Sequence, residues 1–494
     1  MKTQGLTQTL SSQATWPLHS VAQTQALEHE AQAALPVHTL MQRAGLATAQ
    51  LALAIAPHAQ KIWIACGPGN NGGDGLEAAM HLHAWGKHPI VTWLGKDGHM
   101  PADAKQSWLR AKDAGVTFAE QPPVQFDLAI DALLGIGAQR APEGLMAQWL
   151  GAMQRSDVPV LCVDVPTGLL ADTGEWLNTS PQHHVKAQRH TLSLLTLKPG
   201  LFTANGRDAA GHIWFNDLGV TAQKTPTAWL QHSQPAHAPR AHSSHKGSFG
   251  DVAVIGGAPG MSGAAMLAAL AALHGGAGRV FVGLLDEDAK HAMTAAHPPL
   301  MVRDITHLAL NESTVVCGCG GGDDIHTLLP NVLSSSPQLV LDADALNALA
   351  CDTSLQTLLK KRSTRNKSTV LTPHPLEAAR LLNCTTQDVQ HNRLHAAQQL
   401  ADRFQSVVVL KGSGSVTAAP GRAPHINGTG NASLASGGTG DVLAGWLGWQ
   451  AQREAGPAFG APNAADLLAV VRDIMLEAEE PVHVPHLGQM LRNR

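Results

Sequence analysis

Long apolar runs are missing from this chain. No stretch approaches the roughly 18 apolar residues of a membrane-spanning helix, and the opening MKTQGLTQTLSSQ lacks the apolar centre of a signal peptide. A cytoplasmic protein is the expectation. Cysteine is scarce: Cys66, Cys162, Cys317, Cys319, Cys351 and Cys384 show no framework spacing, which excludes a disulfide scaffold and suits free thiols in a reducing compartment. Excess charge is lacking too, and a formal net charge of −4 gives no electrostatic case for nucleic acid or an anionic membrane. Tyrosine is absent and other aromatics are few, whereas glycine and alanine are plentiful, a composition that suits α/β layers with tight βα turns.

At 494 residues the chain exceeds one ordinary core, so two domains of about 250 residues are expected. The segment 221–244 is rich in Pro, His, Gln and Ser without sustained periodicity. It reads as a linker, centred on 226–240 between domains at 1–225 and 241–494. The many histidines scatter. His242/His245 and His483/His486 have metal-like spacing but no accompanying cysteines or carboxylates, and read as surface residues.

In the first half, helical spacing over 21–56 is broken at Pro36 and resumes with Leu40-Met41-Gln42-Arg43-Ala44-Gly45. A strand over 61–66 then meets Gly67-Pro68-Gly69-Asn70-Asn71-Gly72-Gly73-Asp74-Gly75, a helix over 76–85 and a second strand over 89–94. Gly67-x-Gly69-x-x-Gly72 matches the dinucleotide fingerprint, with Asp97 about where a ribose-binding acid would sit. Asp74 would repel a pyrophosphate, however, and paired amides with a carboxylate suit a hydroxyl, a ribose or a monovalent cation. Two more strand ends carry similar chemistry: Asp131 before Leu134-Gly135-Ile136-Gly137, and Asp164 before Val165-Pro166-Thr167-Gly168. One Asp at a strand end is commonly a cap; three at successive parallel strands converge on a crevice.

The second half repeats βα alternation from 251 onward and culminates in Asn427–Gly445, NGTGNASLASGGTGDVLAG. Glycines around Thr439 allow backbone N–H groups to form an anion nest, reinforced by the helix that Val442-Leu443-Ala444 begins. Asp441 beside such a nest makes sense as a base that deprotonates a hydroxyl receiving a phosphoryl group. A Gly-rich turn capped by Asp is the plainer alternative. The Cys317-x-Cys319 pair lacks a second ligand pair and is a poor metal signal. His374, between two prolines, reads by itself as a structural loop histidine.

CGPGNNGGDG, DALLGIG and DVPTG, in that order, resemble the NAD(P)H-hydrate epimerase domain, a Rossmann-like three-layer sandwich. The resemblance implies a nucleotide-hydrate pocket lined by Asn70, Asn71, Gly72, Gly73 and Asp74, by Gly135, Ile136, Gly137, Ala138, Gln139, Arg140 and Ala141, and by Asp164. It implies K⁺ held by Asn71, Asp131 and Thr167, with Asp131 also a candidate acid–base for inverting C6. HKGSFG, GAPGMSGAA, VLDADALN, LTPHPLEAARL, VVVLKG and the glycine-rich stretch are similar to the ADP-dependent NAD(P)H-hydrate dehydratase, a ribokinase-like α/β fold. That likeness implies ADP binding by Lys411-Gly412-Ser413-Gly414-Ser415 and by Asn431-Ala432-Ser433-Leu434-Ala435-Ser436-Gly437-Gly438-Thr439-Gly440. It places Ala264, Gly320, His374 and Asp441 against the hydrate, with Asp441 catalytic and Mg²⁺ as cofactor. The implied small-molecule partners are NADHX, NADPHX and ADP; a homo-oligomer is compatible with the family. One departure stands out, because the helix-like pattern over 464–475 lacks the family's usual Tyr-Leu-His-Gly-like segment. A vitamin-precursor kinase shares the GTGD logic, a nucleotide-sensing scaffold could keep the first domain without catalysis, and an NAD-linked oxidoreductase could use GPGNNG. The first leaves the NNGGDG domain unexplained, the intact set of Asn71, Asp131, Asp164 and Thr167 argues against the second, and Asp74 and the missing constellation for hydride transfer disfavour the third.

Overall fold

The computed structural model describes residues 5–10, 14–95, 100–177, 187–231 and 242–454. Asp97, His483, His486, the stretch 464–475 and the linker residues 232–240 lie outside the described residues. The chain divides into two compact units, 1–229 and 230–494. The strand Ala228–Gln231 spans that division, inside the segment expected to be an irregular linker.

The strands of unit 1 are β1 (Gln8–Thr9), β2 (Lys61–Cys66), β3 (His88–Trp93), β4 (Thr117–Ala119), β5 (Leu128–Ala132), β6 (Val160–Val163), β7 (Arg189–Leu194) and β8 (His212–Asn216). They form one sheet in the order β1-β8-β7-β6-β5-β2-β3-β4. All neighbours are parallel except β1 with β8. Both faces are buried, as parallel sheets require. Ile62, Ile64, Cys66, Leu128 and Ile130 pack towards the helices Thr39–Ile55 and Asn70–Ala84. Trp63, Ala65 and Ala129 pack with Trp149 and Met153 of the helix Gly144–Arg155. Three layers result. The strand order reverses between β2 and β5, so the crevice that binds ligands in such sheets opens at Cys66 and Ala132.

The expected helix over 76–85 starts six residues earlier, at Asn70. The glycine run is its first turns rather than an extended loop. A Cβ on Gly72 would lie 2.0 Å from the Gly67 carbonyl oxygen, and one on Gly75 would lie 2.6 Å from the Ala132 Cβ. Those glycines let the helix sit against the strands.

Unit 2 contains β9 (Asp251–Gly256), β10 (Arg279–Leu284), β11 (Met301–Val302), β12 (Thr314–Cys317), β13 (Gln338–Leu341), β14 (Ser368–Leu371), β15 (Val407–Leu410), β16 (Val416–Ala418) and β17 (His425–Asn427). Their order is β11-β10-β9-β12-β13-β14-β15-β16-β17, parallel up to β15 and antiparallel beyond it. Here the order reverses between β9 and β12. The helices Ser262–Gly275 and Thr439–Glu454 lie over one face of the sheet, with Ala265, Ala269, Ala444 and Leu447 in the core beside Val252 and Val254. Among the described residues, no helix is long and apolar enough to cross a membrane.

Candidate functional site

In unit 1 a cavity of about 430 Å³ opens at the strand-order reversal. Of the residues expected there, Asn70, Asn71, Asp74, Gly135, Ile136, Gly137, Ala138 and Asp164 line it. Gly72, Gly73 and the Gln139-Arg140-Ala141 end of the loop do not. Asp131 and Thr167 sit behind the lining. The Thr167 hydroxyl donates to Asp131 Oδ1 at 2.7 Å, its N–H donates to Oδ2 at 3.1 Å, and the Leu133 N–H adds a longer bond. Burial raises the Asp131 pKa, against the lowering pull of the Thr167 bonds. Leu134 N–H donates to Thr167 Oγ1 at 3.0 Å, fixing the loop in front of it. Asn71 is buried, its side-chain Nδ2 has no hydrogen-bond partner, and it abuts Gly135, where an added Cβ would sit 3.3 Å from Asn71 Oδ1.

Asp164 ends β6 with a left-handed φ of 67°. It accepts from the fully buried Lys198 ammonium and from Leu194 N–H at 3.2 Å. Lys198 lies in Leu-Lys-Pro-Gly after β7, a position with no sequence signal of its own. Sequence reasoning also missed Glu28 and Asp103, which line the same cavity. Burial, and then the Asp164 charge, raises the pKa of both Glu28 and Asp74.

In unit 2 the candidates meet at the carboxyl ends of β12 to β15. Gly320, at φ 58°, is packed so closely that a Cβ would lie 2.9 Å from the Ala264 Cβ. Gly257 N–H and Ala258 N–H donate to the carbonyls of Cys319 and Gly320, joining the loops after β9 and β12. Asp441 lies in the first turn of its helix, with Gly438 before it at φ 90°. The Thr439 hydroxyl is taken up by the Leu434 and Ser436 carbonyls, so Thr439 shapes the turn. Lys411 Nζ donates to Asp342 Oδ1 at 2.7 Å and lies where a Cβ on Gly440 would be 3.2 Å away. The lysine is thus aimed at the glycine nest. Burial, then the neighbouring Asp342, pushes Asp441 up to about 6.

His374 caps the helix Pro375–Leu382: Nδ1 accepts from Leu376 and Glu377 N–H, and Nε2 lies 3.3 Å from Glu377 Oε1. The capping role matches its reading as a structural histidine, and the cap is also what aims the ring. Burial, then Lys411, lowers its pKa, while burial pushes Glu377 beside it up to about 7. Arg393, another residue without a sequence signal, is buried under the Lys411–Ser415 turn and donates to the carbonyls of Leu410 and Lys411. Cys319 Sγ, Asp342 and Asp441 bring a thiol and two carboxylates within 4.8 Å of one another. The two carboxylates are hard oxygen donors that fit Mg²⁺ sharing its coordination with phosphates; the thiol does not.

Residues 37–200 match the model of the YjeF-related protein N-terminus family, and 252–465 that of NAD(P)H-hydrate dehydratase. The chain is 38% identical to the bifunctional NAD(P)H-hydrate repair enzyme Nnr of Escherichia coli, over 84% of this chain and 80% of that one. It is 35% identical to the Vibrio cholerae enzyme of the same name, over 87% and 88%. Among solved structures, an ADP/ATP-dependent NAD(P)H-hydrate dehydratase from Bacillus subtilis, co-crystallised with ATP and Mg²⁺, matches 52% of this chain and 92% of its own at 26% identity and a TM-score of 0.43. Both halves of the relatives are present in order, and the chain belongs to the family of bifunctional NAD(P)H-hydrate repair enzymes.

Proposed function

We propose that unit 1 interconverts the R and S epimers of NADHX and NADPHX, and that unit 2 dehydrates the S epimer with ADP, releasing AMP and phosphate. The observation that carries this is Asp441 beside the Gly438–Gly440 nest, with Lys411 aimed at the same turn, in a chain that also holds the Asn71–Asp131–Thr167–Asp164 crevice. A proton passes from the C6 hydroxyl to Asp441 as that oxygen attacks the β-phosphorus of ADP, and AMP leaves. Phosphate is a better leaving group than hydroxide. Its departure from C6, with loss of a proton from C5, restores the dihydronicotinamide. The nest N–H groups and Lys411 stabilise charge on the transferring phosphoryl oxygens. Mg²⁺ held by Asp342, Asp441 and the phosphates would neutralise part of that charge.

In unit 1 the buried Asn71, whose amide can turn its oxygen towards Gly135, joins Asp131 and Thr167 as a set of oxygen donors for K⁺. Asp131 serves there as cation holder or as acid–base for C6. A cytoplasmic setting keeps the buried thiols Cys66, Cys162, Cys317 and Cys319 reduced. The test is absorbance at 340 nm on mixed R- and S-NADHX with Mg²⁺, K⁺ and ADP, ATP or neither. Full recovery of NADH with nucleotide supports the assignment. No recovery with any nucleotide overturns the dehydratase and returns the vitamin-precursor kinase to first place.

A further inference from the structure

The turn that follows β15 is held from beneath by a buried charge. Arg393 opens the helix Arg393–Phe404 and is 1% exposed. Burial lowers its pKa to about 10, which leaves the guanidinium cationic at neutral pH. Its Nη1 donates to Gln390 Oε1 at 2.7 Å, and its Nη2 donates to the carbonyls of Leu410 at 3.2 Å and Lys411 at 3.1 Å. These acceptors are neutral, so they solvate the charge without cancelling it. Gly412 lies against the same group: at φ 135°, a Cβ there would stand 3.0 Å from both Nη1 and Nη2.

A trans peptide sends its C=O and its N–H in opposite directions, and the described residues contain no cis peptide. The Leu410–Lys411 peptide follows this rule: its carbonyl meets Arg393, and its N–H donates to the Pro373 carbonyl at 2.9 Å. The next peptide also turns its carbonyl to Arg393, so the Gly412 N–H faces away from the guanidinium. That N–H has no hydrogen-bond partner among the described residues, and Gly412 is exposed. From the same short turn the Lys411 ammonium, tied to Asp342, reaches the Gly438–Gly440 nest. We infer that Arg393 is a positioning residue of the nucleotide site in unit 2. It fixes the Lys411–Gly412 peptide so that a free N–H is offered to the phosphates of a nucleoside diphosphate, and its buried charge adds to their attraction. This assignment rests on the use of ADP proposed above. A planar guanidinium spans an amide oxygen and two carbonyls at once, which an ammonium cannot do with the same geometry.

The experiment titrates the full chain with ADP and with ATP by calorimetry, and follows S-NADHX at 340 nm over a range of ADP concentrations. Arg393→Met keeps the apolar stem and removes the charge and the donors. It is expected to raise Kd and KM for ADP about 10–100-fold, the range that loss of a charge-assisted hydrogen bond sets. KM for S-NADHX and kcat at saturating ADP should stay within about threefold, because Arg393 acts on the turn and not on the reacting atoms. Arg393→Lys should recover part of the ADP affinity. Gly412→Ala probes the same contact with the charge kept: its Cβ must displace the turn or the guanidinium, and ADP affinity should fall. It decides the question if Arg393→Met does not fold, as thermal denaturation would reveal. A KM for ADP within twofold of wild type in folded Arg393→Met overturns the proposal, as does the same result in Gly412→Ala if that variant alone folds. So does a KM for S-NADHX that rises in step with that for ADP, which marks a general loosening of unit 2. If the wild-type chain dehydrates no S epimer with either nucleotide, the dehydratase reading fails instead, and the calorimetric titrations still decide the role of Arg393. A wild-type chain that binds neither nucleotide overturns both.

Discussion

The proposed role of Asp441 as a base requires its ionised form, and burial beside Asp342 lifts its pKa to about 6. The rate of S-epimer dehydration is therefore expected to rise with pH through about 6 and level above it. Asp441→Asn should lower kcat by about 10²–10⁴-fold and abolish that limb, as a pH–rate profile with ADP would read. Cys319 donates towards Asp441 and pulls its pKa down, so Cys319→Ala should move the same limb to higher pH. Lys198 presents a second residue-scale case. Its ammonium is fully buried against Asp164, and Lys198→Met leaves that carboxylate without its partner. Removing one half of a buried pair costs about 3–5 kcal/mol, which thermal denaturation of unit 1 would register. The sequence announced Asp164 and Asp441 because each ends a strand or opens a helix beside glycines. Lys198, Glu28 and Arg393 lacked any such local mark, since their function comes from what the folded chain sets against them.

At the scale of elements, close backbone approach decides where glycine is irreplaceable. A Cβ on Gly45 would lie 2.2 Å from the Glu77 Cβ, at the crossing of the helices Thr39–Ile55 and Asn70–Ala84. A Cβ on Gly445 would lie 1.9 Å from the Ala268 carbonyl oxygen, where the helices Ser262–Gly275 and Thr439–Glu454 cross. Overpacking of this kind costs about 1–3 kcal/mol or more. Gly45→Ala and Gly445→Ala should each lower the melting temperature of their own unit by several degrees, about 2–4 °C per kcal/mol. The helix that begins at Asn70 teaches the same point. In sequence its glycines read as a turn ahead of the helix, because composition does not distinguish a glycine that frees φ from one that removes a side chain.

For the whole molecule, each unit has its own core and its own strand-order reversal, so lesions in one should spare the other. With mixed epimers and ADP, Asp131→Ala should limit NADH recovery to about the S fraction, whereas Asp441→Ala should abolish recovery and leave the epimers equilibrating. Complete recovery by Asp131→Ala would remove that residue from the epimerase. Exposure makes one further expectation: native alkylation should label Cys351 and Cys384 and leave Cys66, Cys162, Cys317 and Cys319 unmodified by mass spectrometry.

The sequence by itself determined the α/β class, the two-part division and the strand-end aspartates, because these depend on local period and on residues a few positions apart. Tertiary structure decided the rest. It set Asp131 behind the cavity lining and Glu28 and Asp103 within it, and turned Lys411 towards the glycine nest. It also aligned Arg110, Glu77, His38 and Asp103 across three segments of chain. Distances of a few ångströms between residues distant in sequence set which charges are desolvated and which side chains are paired, and no local pattern encodes them.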